Sequence, residues 1–312
     1  MAINAHPELP EFDYIRPSTL MEASRFLAQH PGEARPLLGG TDIFVRMRDG
    51  FWHDKYLVDV KKLDGTGELV FSPESGLTLG AALNMNQVIA SAEVRAHYPL
   101  LAEACRSVAS YQLRSRATIA GNICNASPAG DTIGACLVLG GMLKVHGTDG
   151  WRDIPLSTRM KSAFFLGPGK TLLQAGDIVT AIHFPPPPPT HTNGCAGTYI
   201  KLGRNTWSDL SIVGVTVFAY ADATLPSGYS FHVALASVAP VPLLVPAVHA
   251  FLAENTPGAQ AFEQAARLAQ DACHPIDDVR GSARYRKAMV GKLTEKALVR
   301  TWSKLRILSV QR

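Results

Sequence analysis

The sequence lacks the segments that direct a chain to or through a membrane. Its first residues show no basic start followed by an apolar run, so no secretory signal is predicted. The most apolar later stretch, residues 231–253, contains three prolines and two histidines. It falls short of the ~20 uninterrupted apolar residues that a membrane span needs. These absences predict a cytoplasmic protein.

Closely spaced cysteines are also lacking. The five cysteines form no C-x-x-C pair, which a zinc ribbon or a chain-borne iron–sulfur cluster would need. The sequence therefore predicts no metal site on this chain, and reduced, mostly buried thiols. For Cys124 we favour a packing role over a redox role. The cysteines are Cys105, Cys124, Cys136, Cys195 and Cys273.

A strong charge of one sign is absent as well. Charged residues make up 18% of the chain and the net charge is only +4. A nucleic-acid-binding protein would concentrate basic residues on one face. The densest basic stretch, Arg280 to Lys292, is interpreted as one solvated helix face, and no nucleic-acid partner is predicted.

The 312 residues, 46% of them hydrophobic, are enough for two or three compact units. Strand and helix patterns alternate up to residue 185, and beyond it three strand-like runs precede several helices. This order predicts an α+β chain. The prolines of "FPPPPPT", residues 184–190, enforce an extended segment. We interpret residues 186–190 as a stiff linker rather than a recognition ligand, between domains 1–185 and 191–312.

Several helix limits are predicted from local signals. Ser18 or Thr19 is the expected N-cap of the first helix, with Glu22 available for a capping box. Apolar residues at helical spacing predict another helix over residues 98–110. A long terminal helix is expected from about Ser282 to Lys304.

Two stretches concentrate turn residues: "LLGGTDI", residues 37–43, and "TIAGNICNASPAGD", residues 118–131. Glycines let a backbone approach a ligand closely, and free N–H groups attract phosphate. Each stretch alone is equally typical of a plain turn. Neither contains G-x-G-x-x-G or the Gly-Lys-Ser/Thr of a Walker loop. Two such loops in one chain favour a ligand with a pyrophosphate.

Together the two stretches resemble the FAD-binding motifs of the medium subunit of molybdenum hydroxylases, the xanthine dehydrogenase and carbon monoxide dehydrogenase group. The family patterns are A-G-G-x-S/D, and T-I-G-G-N followed by S-P-x-x-D. The resemblance extends to "GDIVTAIHFP" and "YIKLGRNTWSDLSIVGV", where the family has an aromatic-x-K-x-x-R segment. It therefore covers nearly the whole chain.

The resemblance implies a fold, a cofactor and partners. The fold is a PCMH-type, vanillyl-alcohol-oxidase-like FAD-binding domain with subdomains of about 1–57 and 58–185, followed by a C-terminal α+β domain like that of CO dehydrogenase flavoproteins. FAD is expected on this chain, with iron–sulfur clusters on a small partner subunit and the molybdenum cofactor on a large one. Electrons would pass from the clusters through FAD to NAD, a quinone, dioxygen or a protein. Substrate would react on another chain.

The resemblance also implies site residues. The first loop and Thr118, Ile119, Ala120, Gly121 and Asn122 would line the pyrophosphate, with Ser127 adding a hydroxyl. Asp131 would contact the sugar or ribityl chain, Val108 and Val179 would pack beside the cofactor, and Lys201 would lie near the flavin ring. The residues of the first loop are Leu37, Leu38, Gly39, Gly40, Thr41, Asp42 and Ile43.

Other interpretations stay open at this point. Asp131 is also a suitable N-cap for a following helix, and Lys201 a surface residue of a strand. Ala120 stands where the family has glycine, which removes some backbone freedom. For the whole chain the alternatives are a self-contained FAD oxidoreductase of the same superfamily and an assembly subunit without FAD. The absence of a covalent-flavin histidine motif and the intact glycines weigh against them.

Overall fold

A computed structural model describes residues 8–158, 161–188, 194–205 and 209–310. The chain begins with a small three-stranded parallel sheet of order β1-β3-β2, which carries a helix on one side. The elements of this unit are β1 (Asp13–Ile15), α1 (Leu20–Gln29), β2 (Ala34–Leu37), α2 (Ile43–Arg48) and β3 (Tyr56–Asp59).

Helix α1 starts where the sequence predicts. Thr19 is the N-cap, and its hydroxyl accepts a hydrogen bond from the Glu22 N–H at 3.1 Å. The Glu22 carboxylate in turn accepts from the Ser18 N–H at 2.7 Å, one residue outside a standard capping box. The apolar face of the helix, including Leu20 and Leu27, then packs against the sheet.

A five-stranded antiparallel sheet of order β4-β5-β12-β6-β7 forms the second unit, and six helices connect its strands β5 and β6. Its elements are β4 (Leu69–Ser72), β5 (Gly76–Gly80), α3 (Met85–Ala90), α4 (Ala92–His97), α5 (Pro99–Arg106), α6 (Tyr111–Arg114), α7 (Ile119–Asn125), α8 (Ile133–Val138), β6 (Met142–Gly147), β7 (Gly150–Pro155), β8 (Ser157–Thr158), β9 (Lys161–Ser162), β10 (Phe165–Gly167), β11 (Lys170–Thr171) and β12 (Ile178–Phe184).

The C-terminal unit is an antiparallel sheet of order β13-β14-β15-β16 with three helices packed on it. Its elements are β13 (Cys195–Leu202), β14 (Val213–Ala221), β15 (Tyr229–Ala236), β16 (Leu243–Leu244), α9 (Pro246–Glu254), α10 (Ala259–Ala272) and α11 (Ala283–Val310). Strands followed by helices agree with the predicted α+β class.

Helices of the second unit cover the other face of this sheet. Gly134 of α8 lies so close to β14 that an added Cβ would meet Thr216 Oγ1 at 2.3 Å. Gly197 of β13 is similarly close to Leu100 of α5, at 2.9 Å. Tyr199 and Phe218 therefore belong to the same buried cluster as the residues of the five-stranded sheet.

The structure differs from the sequence-based expectations at the ends of two helices and in the basic stretch. Helix α5 ends at Arg106, four residues before the expected end at residue 110. Arg286 lies within the basic stretch expected to be one solvated helix face, yet it is only 2% exposed. The terminal helix continues to Val310, six residues beyond the expected Lys304. The prediction of a solvated face is therefore wrong at Arg286, because its guanidinium donates to the buried carbonyls of Ile212 and Ser237.

The predicted linker is described only in part. Residues 186–188 follow β12 without regular secondary structure, and residues 189 and 190 lie outside the described ranges. The domain and subdomain limits stay predictions. Within the described ranges, no helix is both long and apolar enough to cross a lipid bilayer.

Candidate functional site

The two glycine-rich stretches meet in space. Gly39 touches the chain that enters the second stretch, because an added Cβ would lie 2.2 Å from the Arg116 carbonyl oxygen. Gly40 has φ +75° and faces the Phe44 ring, which an added Cβ would meet at 2.6 Å. The first glycine is thus required by a close approach of two backbones, and the second by a left-handed conformation.

The second stretch is partly helical rather than a continuous loop. Thr118 is the N-cap of α7, and its hydroxyl accepts a hydrogen bond from the Gly121 N–H at 2.9 Å. Helical spacing brings Thr118, Gly121, Asn122 and Asn125 to one face, toward a cavity. The sequence did not indicate this helix for two reasons. Its seven residues are too few to show a helical period, and glycine and asparagine among them are typical of turns.

A cavity of about 290 Å³ lies between the two stretches. Val108 precedes α6 and Val179 belongs to β12, and both contribute apolar walls. Among the residues that the resemblance assigned to the cofactor, eleven line the cavity: Leu38, Gly39, Gly40, Thr41, Asp42, Ile43, Val108, Thr118, Gly121, Asn122 and Val179.

Four other assigned residues lie behind the cavity wall or beside it. The Leu37 side chain packs in a core with Met47 and Leu57. Ile119 and Ala120 belong to the face of α7 that points into the main core. The Ser127 hydroxyl accepts from the Ala129 N–H at 3.3 Å, within the turn after α7. Their assignment to the cofactor stays a prediction.

Asp131 and Lys201 meet across the junction between α8 and the C-terminal sheet. Lys201 Nζ donates to Asp131 Oδ2 at 2.7 Å and to the Ser107 carbonyl at 3.1 Å. Tyr199 Oη donates to Asp131 Oδ1, also at 2.7 Å. Neither Asp131 nor Lys201 is among the residues that line the cavity. The alternatives are wrong for both residues, since Thr132 is the N-cap of α8 and Lys201 is an ion-paired, largely buried side chain.

Burial dominates the electrostatics of this group. It raises the pKa of the Asp131 carboxyl, while the Lys201 ammonium and the Tyr199 hydroxyl oppose that rise. Burial and the neighbouring Asp131 also raise the pKa of the Tyr199 phenol well above its ordinary value. The tyrosine therefore remains a hydrogen-bond donor at neutral pH.

Cys124 lines the cavity between the two asparagines of α7. Burial raises the pKa of its thiol to about 12. Because the thiolate is the reactive form of cysteine, this shift disfavours a redox role, and the side chain also packs against the main core. The structure thus supports the packing role that we favoured.

Sequence reasoning missed other residues of the cavity. Arg35 and Trp52 lie at one side of it, with the guanidinium carbon 3.7 Å from the Trp52 ring centre. Arg35 Nε also donates to the buried Asp54 at 2.8 Å. Asn125, at the end of α7, is a third missed residue. Arg35 and Trp52 carry no local signal, whereas the helical spacing from Thr118 would have indicated Asn125.

The residues of the cavity fit a dinucleotide such as FAD. Gly39, Gly40 and Gly121 line the cavity and have no side chain to cover the backbone there, which suits a pyrophosphate. The Asn125 Oδ1 atom is buried and has no hydrogen-bond partner among the described residues, as expected where a ligand supplies one. Apolar walls beside these groups suit the flat rings of a flavin.

Comparisons with known proteins agree with this fit. Residues 10–187 match the FAD-binding domain of molybdopterin dehydrogenases, and residues 198–301 match the C-terminal domain of CO dehydrogenase flavoproteins. The chain is 31% identical over 297 residues to the carbon monoxide dehydrogenase medium chain of Hydrogenophaga pseudoflava, covering 95% of this chain and 98% of that one.

Two further similarities extend over more than nine tenths of the chain. The xanthine dehydrogenase FAD-binding subunit of Escherichia coli O157:H7 is 28% identical over 287 residues, covering 91% and 94% of the two chains. The structure of the Hydrogenophaga pseudoflava carbon monoxide dehydrogenase that lacks the Mo-pyranopterin moiety superposes with a TM-score of 0.88. That match has 29% identity and covers 96% of this chain and 99% of that chain.

These findings confirm the family resemblance, the fold class, FAD as the cofactor and the assignment to the oxidoreductases. The FAD-binding match alone covers more than half of the 312 residues. The chain belongs to the family of FAD-binding medium subunits of molybdenum hydroxylases.

Proposed function

We propose that this chain passes electrons from the iron–sulfur clusters of a small partner subunit, through its own FAD, to an external acceptor. The large partner of the resulting heterotrimer would hold the molybdenum cofactor and the substrate. The observation that carries the proposal is the meeting of both glycine-rich stretches on one cavity. The names of the relatives, a medium chain and an FAD-binding subunit, support a multi-subunit assembly.

FAD supplies the redox chemistry when it is bound. The chain's own residues would hold and surround it. Gly39, Gly40 and Gly121 let the backbone reach the pyrophosphate, and Asn122 offers its amide N–H groups because Thr132 occupies its Oδ1 at 2.7 Å. Val108 and Val179 would exclude water from the ring system. A cytoplasmic location stays a prediction.

Lys201 would act from outside the cavity wall. Its side chain is 15% exposed, and Asp131 and the Ser107 carbonyl hold its ammonium in place. A fixed positive charge near the flavin would favour an anionic reduced ring. The buried Asp131 offsets part of that charge, so we expect the lysine to tune the flavin potential modestly rather than to bind the cofactor tightly.

The test uses the chain co-expressed with its two partner subunits. Acid extraction should release FAD, and anaerobic reduction of the iron–sulfur subunit should bleach the flavin absorption band before an added acceptor is reduced. A complex loaded with FAD-free medium subunit serves as the control and should reduce the acceptor at a greatly lowered rate. If the flavin stays oxidised in an assembled complex with reduced clusters, the proposed electron path is wrong.

A further inference from the structure

The cavity face of α7 carries two asparagines, and their side-chain oxygens differ in whether the protein supplies a hydrogen-bond donor. Asn122 Oδ1 accepts a hydrogen bond from Thr132 Oγ1 at 2.7 Å, so its orientation is fixed by the protein. One turn later, Asn125 Oδ1 is buried and has no hydrogen-bond partner among the described residues. Both residues line the same cavity. Only the second amide therefore presents an unsatisfied acceptor there.

The local backbone does not require an asparagine at this position. Asparagine is favoured at helix ends where the chain turns left-handed, but here Ala126 takes that conformation, with φ 47°. The Ala126 N–H closes the helix by donating to the Ile123 carbonyl at 3.0 Å. Asn125 thus has no capping role. A buried acceptor without a partner lowers the stability of the FAD-free protein.

We propose that Asn125 contacts the cofactor, and that its Oδ1 accepts a hydrogen bond from a donor group of FAD. This inference rests on the FAD assignment. The ionised pyrophosphate has only acceptor oxygens, so it cannot supply the hydrogen. The donor is a ribityl hydroxyl, the flavin N3–H, a ribose hydroxyl of the adenosine half or the adenine amino group. Asn125 therefore marks a part of the cavity away from the pyrophosphate that Gly39 and Gly40 approach.

The two asparagines then have complementary tasks along one helix face. Asn122 keeps its N–H groups for acceptor oxygens, because its own oxygen is engaged. Asn125 keeps its oxygen for a donor. A spacing of three residues separates them by about 4.5 Å along the helix axis. This distance is short enough for both to reach neighbouring groups of one extended ligand.

The experiment measures FAD affinity and stability of the full chain after removal of its flavin. Asn125→Leu replaces the amide by an apolar group of similar size, and Asn125→Ala guards against a steric effect of leucine. We expect either change to raise the Kd for FAD about tenfold, as for the loss of one buried hydrogen bond. The Tm of the FAD-free protein should stay the same or rise, because no protein partner is lost.

Thr294→Val is the matched control. Thr294 Oγ1 is also buried without a partner among the described residues, but it lies on α11, outside the cavity lining. Its substitution should leave the Kd unchanged. Titrations with FMN and with ADP narrow the donor: a loss of affinity confined to FMN indicates the ribityl or flavin group, and a loss confined to ADP indicates the ribose hydroxyls or the amino group of the adenosine half.

Three results would overturn the inference. Equal FAD affinity of the wild type and both Asn125 variants would reject the contact while leaving FAD binding intact. Equal losses for Thr294→Val would show a general effect of buried polar groups. A wild-type chain that binds no FAD, alone or in the complex, would reject the cofactor assignment together with this inference.

Discussion

Two neighbouring glycines of the first loop are constrained in different ways. An added Cβ at Gly40 would meet the Phe44 ring, which is a side chain and can move, although the backbone at φ +75° would remain strained. At Gly39 the obstacle is the Arg116 carbonyl, which is part of the backbone. Because that carbonyl cannot rotate away, Gly39 is the stricter requirement for keeping the two stretches together.

We therefore expect Gly39→Ala to push the two stretches apart. The FAD affinity should fall at least about tenfold, and the free energy of unfolding should fall by about 2–3 kcal/mol, as for overpacked positions. FAD titration and urea unfolding measure the two effects. Gly67→Ala is the control, since its Cβ would meet nothing within 4 Å and φ is not positive. Similar losses for both variants would contradict the role of the backbone contact.

His232 predicts how stability depends on pH. It stacks on His249 with ring centres 4.8 Å apart, and burial, aided by the His249 charge, lowers its pKa to about 4. The unfolded chain binds a proton below the ordinary histidine pKa of about 6.5, whereas the folded chain does so only near 4. The stability that the neutral His232 contributes is thus present at pH 7. It is lost as the pH falls from about 6.5 to about 4, because the unfolded chain takes up the proton first.

Replacing His232 should flatten this acid dependence. For His232→Gln, the fall in the free energy of unfolding between pH 7 and pH 4.5 should be smaller than in the wild type by at most about 3 kcal/mol. Urea unfolding at both pH values checks it. His53→Gln, at an exposed position, is the control and should follow the wild-type curve. An unchanged slope for His232→Gln would contradict the prediction.

At the scale of elements, α11 is joined to the C-terminal sheet through Arg286. Its guanidinium donates to the carbonyls of Ile212 and Ser237, at 3.0 and 2.9 Å, and to the Asp278 carboxylate. Two arginines, Arg280 and Arg286, hold the pKa of Asp278 well below its usual range. The start of the helix and the loop before it are therefore fixed by one buried cation.

We expect Arg286→Met to cost about 3 kcal/mol in the free energy of unfolding, because it leaves buried carbonyls and a carboxylate without their donor. Backbone hydrogen exchange should rise in the loop 275–281 and the first turns of α11. Arg284→Met changes an exposed arginine of the same helix and should stay within about 0.5 kcal/mol of the wild type. Equal stability of the two variants would be incompatible with the proposed anchoring.

Elements with strong local signals could be predicted from the sequence, and short or tertiary features could not. Thr19 and Glu22 mark the start of α1 because capping depends on neighbours in sequence. Helix α7 is hidden among turn residues, since glycine and asparagine are poor helix formers and only packing fixes them here. The sequence predicts that Arg286 is a surface residue, because its hydrogen-bond partners, Ile212 and Ser237, are distant from it in the chain.

At the scale of the whole molecule, the ion pair between Asp131 and Lys201 joins the second unit to the C-terminal sheet. The resemblance named Asp131 and Lys201 but not their direct contact, which joins α8 to β13. The cavity itself is lined by residues between Arg35 and Val179, none of them from the C-terminal sheet. Packing of α8 and α5 on the C-terminal sheet brings the two charges together, and that packing depends on small residues such as Gly134 and Gly197. A pattern of single residues cannot reveal such a junction.

A double-mutant cycle tests whether this ion pair couples the two halves. Removing one partner leaves a buried charge unpaired, so Asp131→Asn and Lys201→Met should each lower the free energy of unfolding by about 3 kcal/mol. In the double variant neither charge is left unpaired. Its loss of unfolding free energy should be smaller, by about 1–3 kcal/mol, than the losses of the two single variants added together. Urea unfolding of the FAD-free chain measures all three.

The exposed pair Lys144 and Asp153 provides the comparison for this cycle. Its atoms are as close, at 2.7 Å, but the side chains are 38% and 46% exposed, against 15% and 9% for Lys201 and Asp131. Solvent screens such a pair, so its coupling energy should lie below about 1 kcal/mol. If the coupling energy between Asp131 and Lys201 proved as small as that of the exposed pair, the ion pair would not hold the junction, and apolar packing alone would do so.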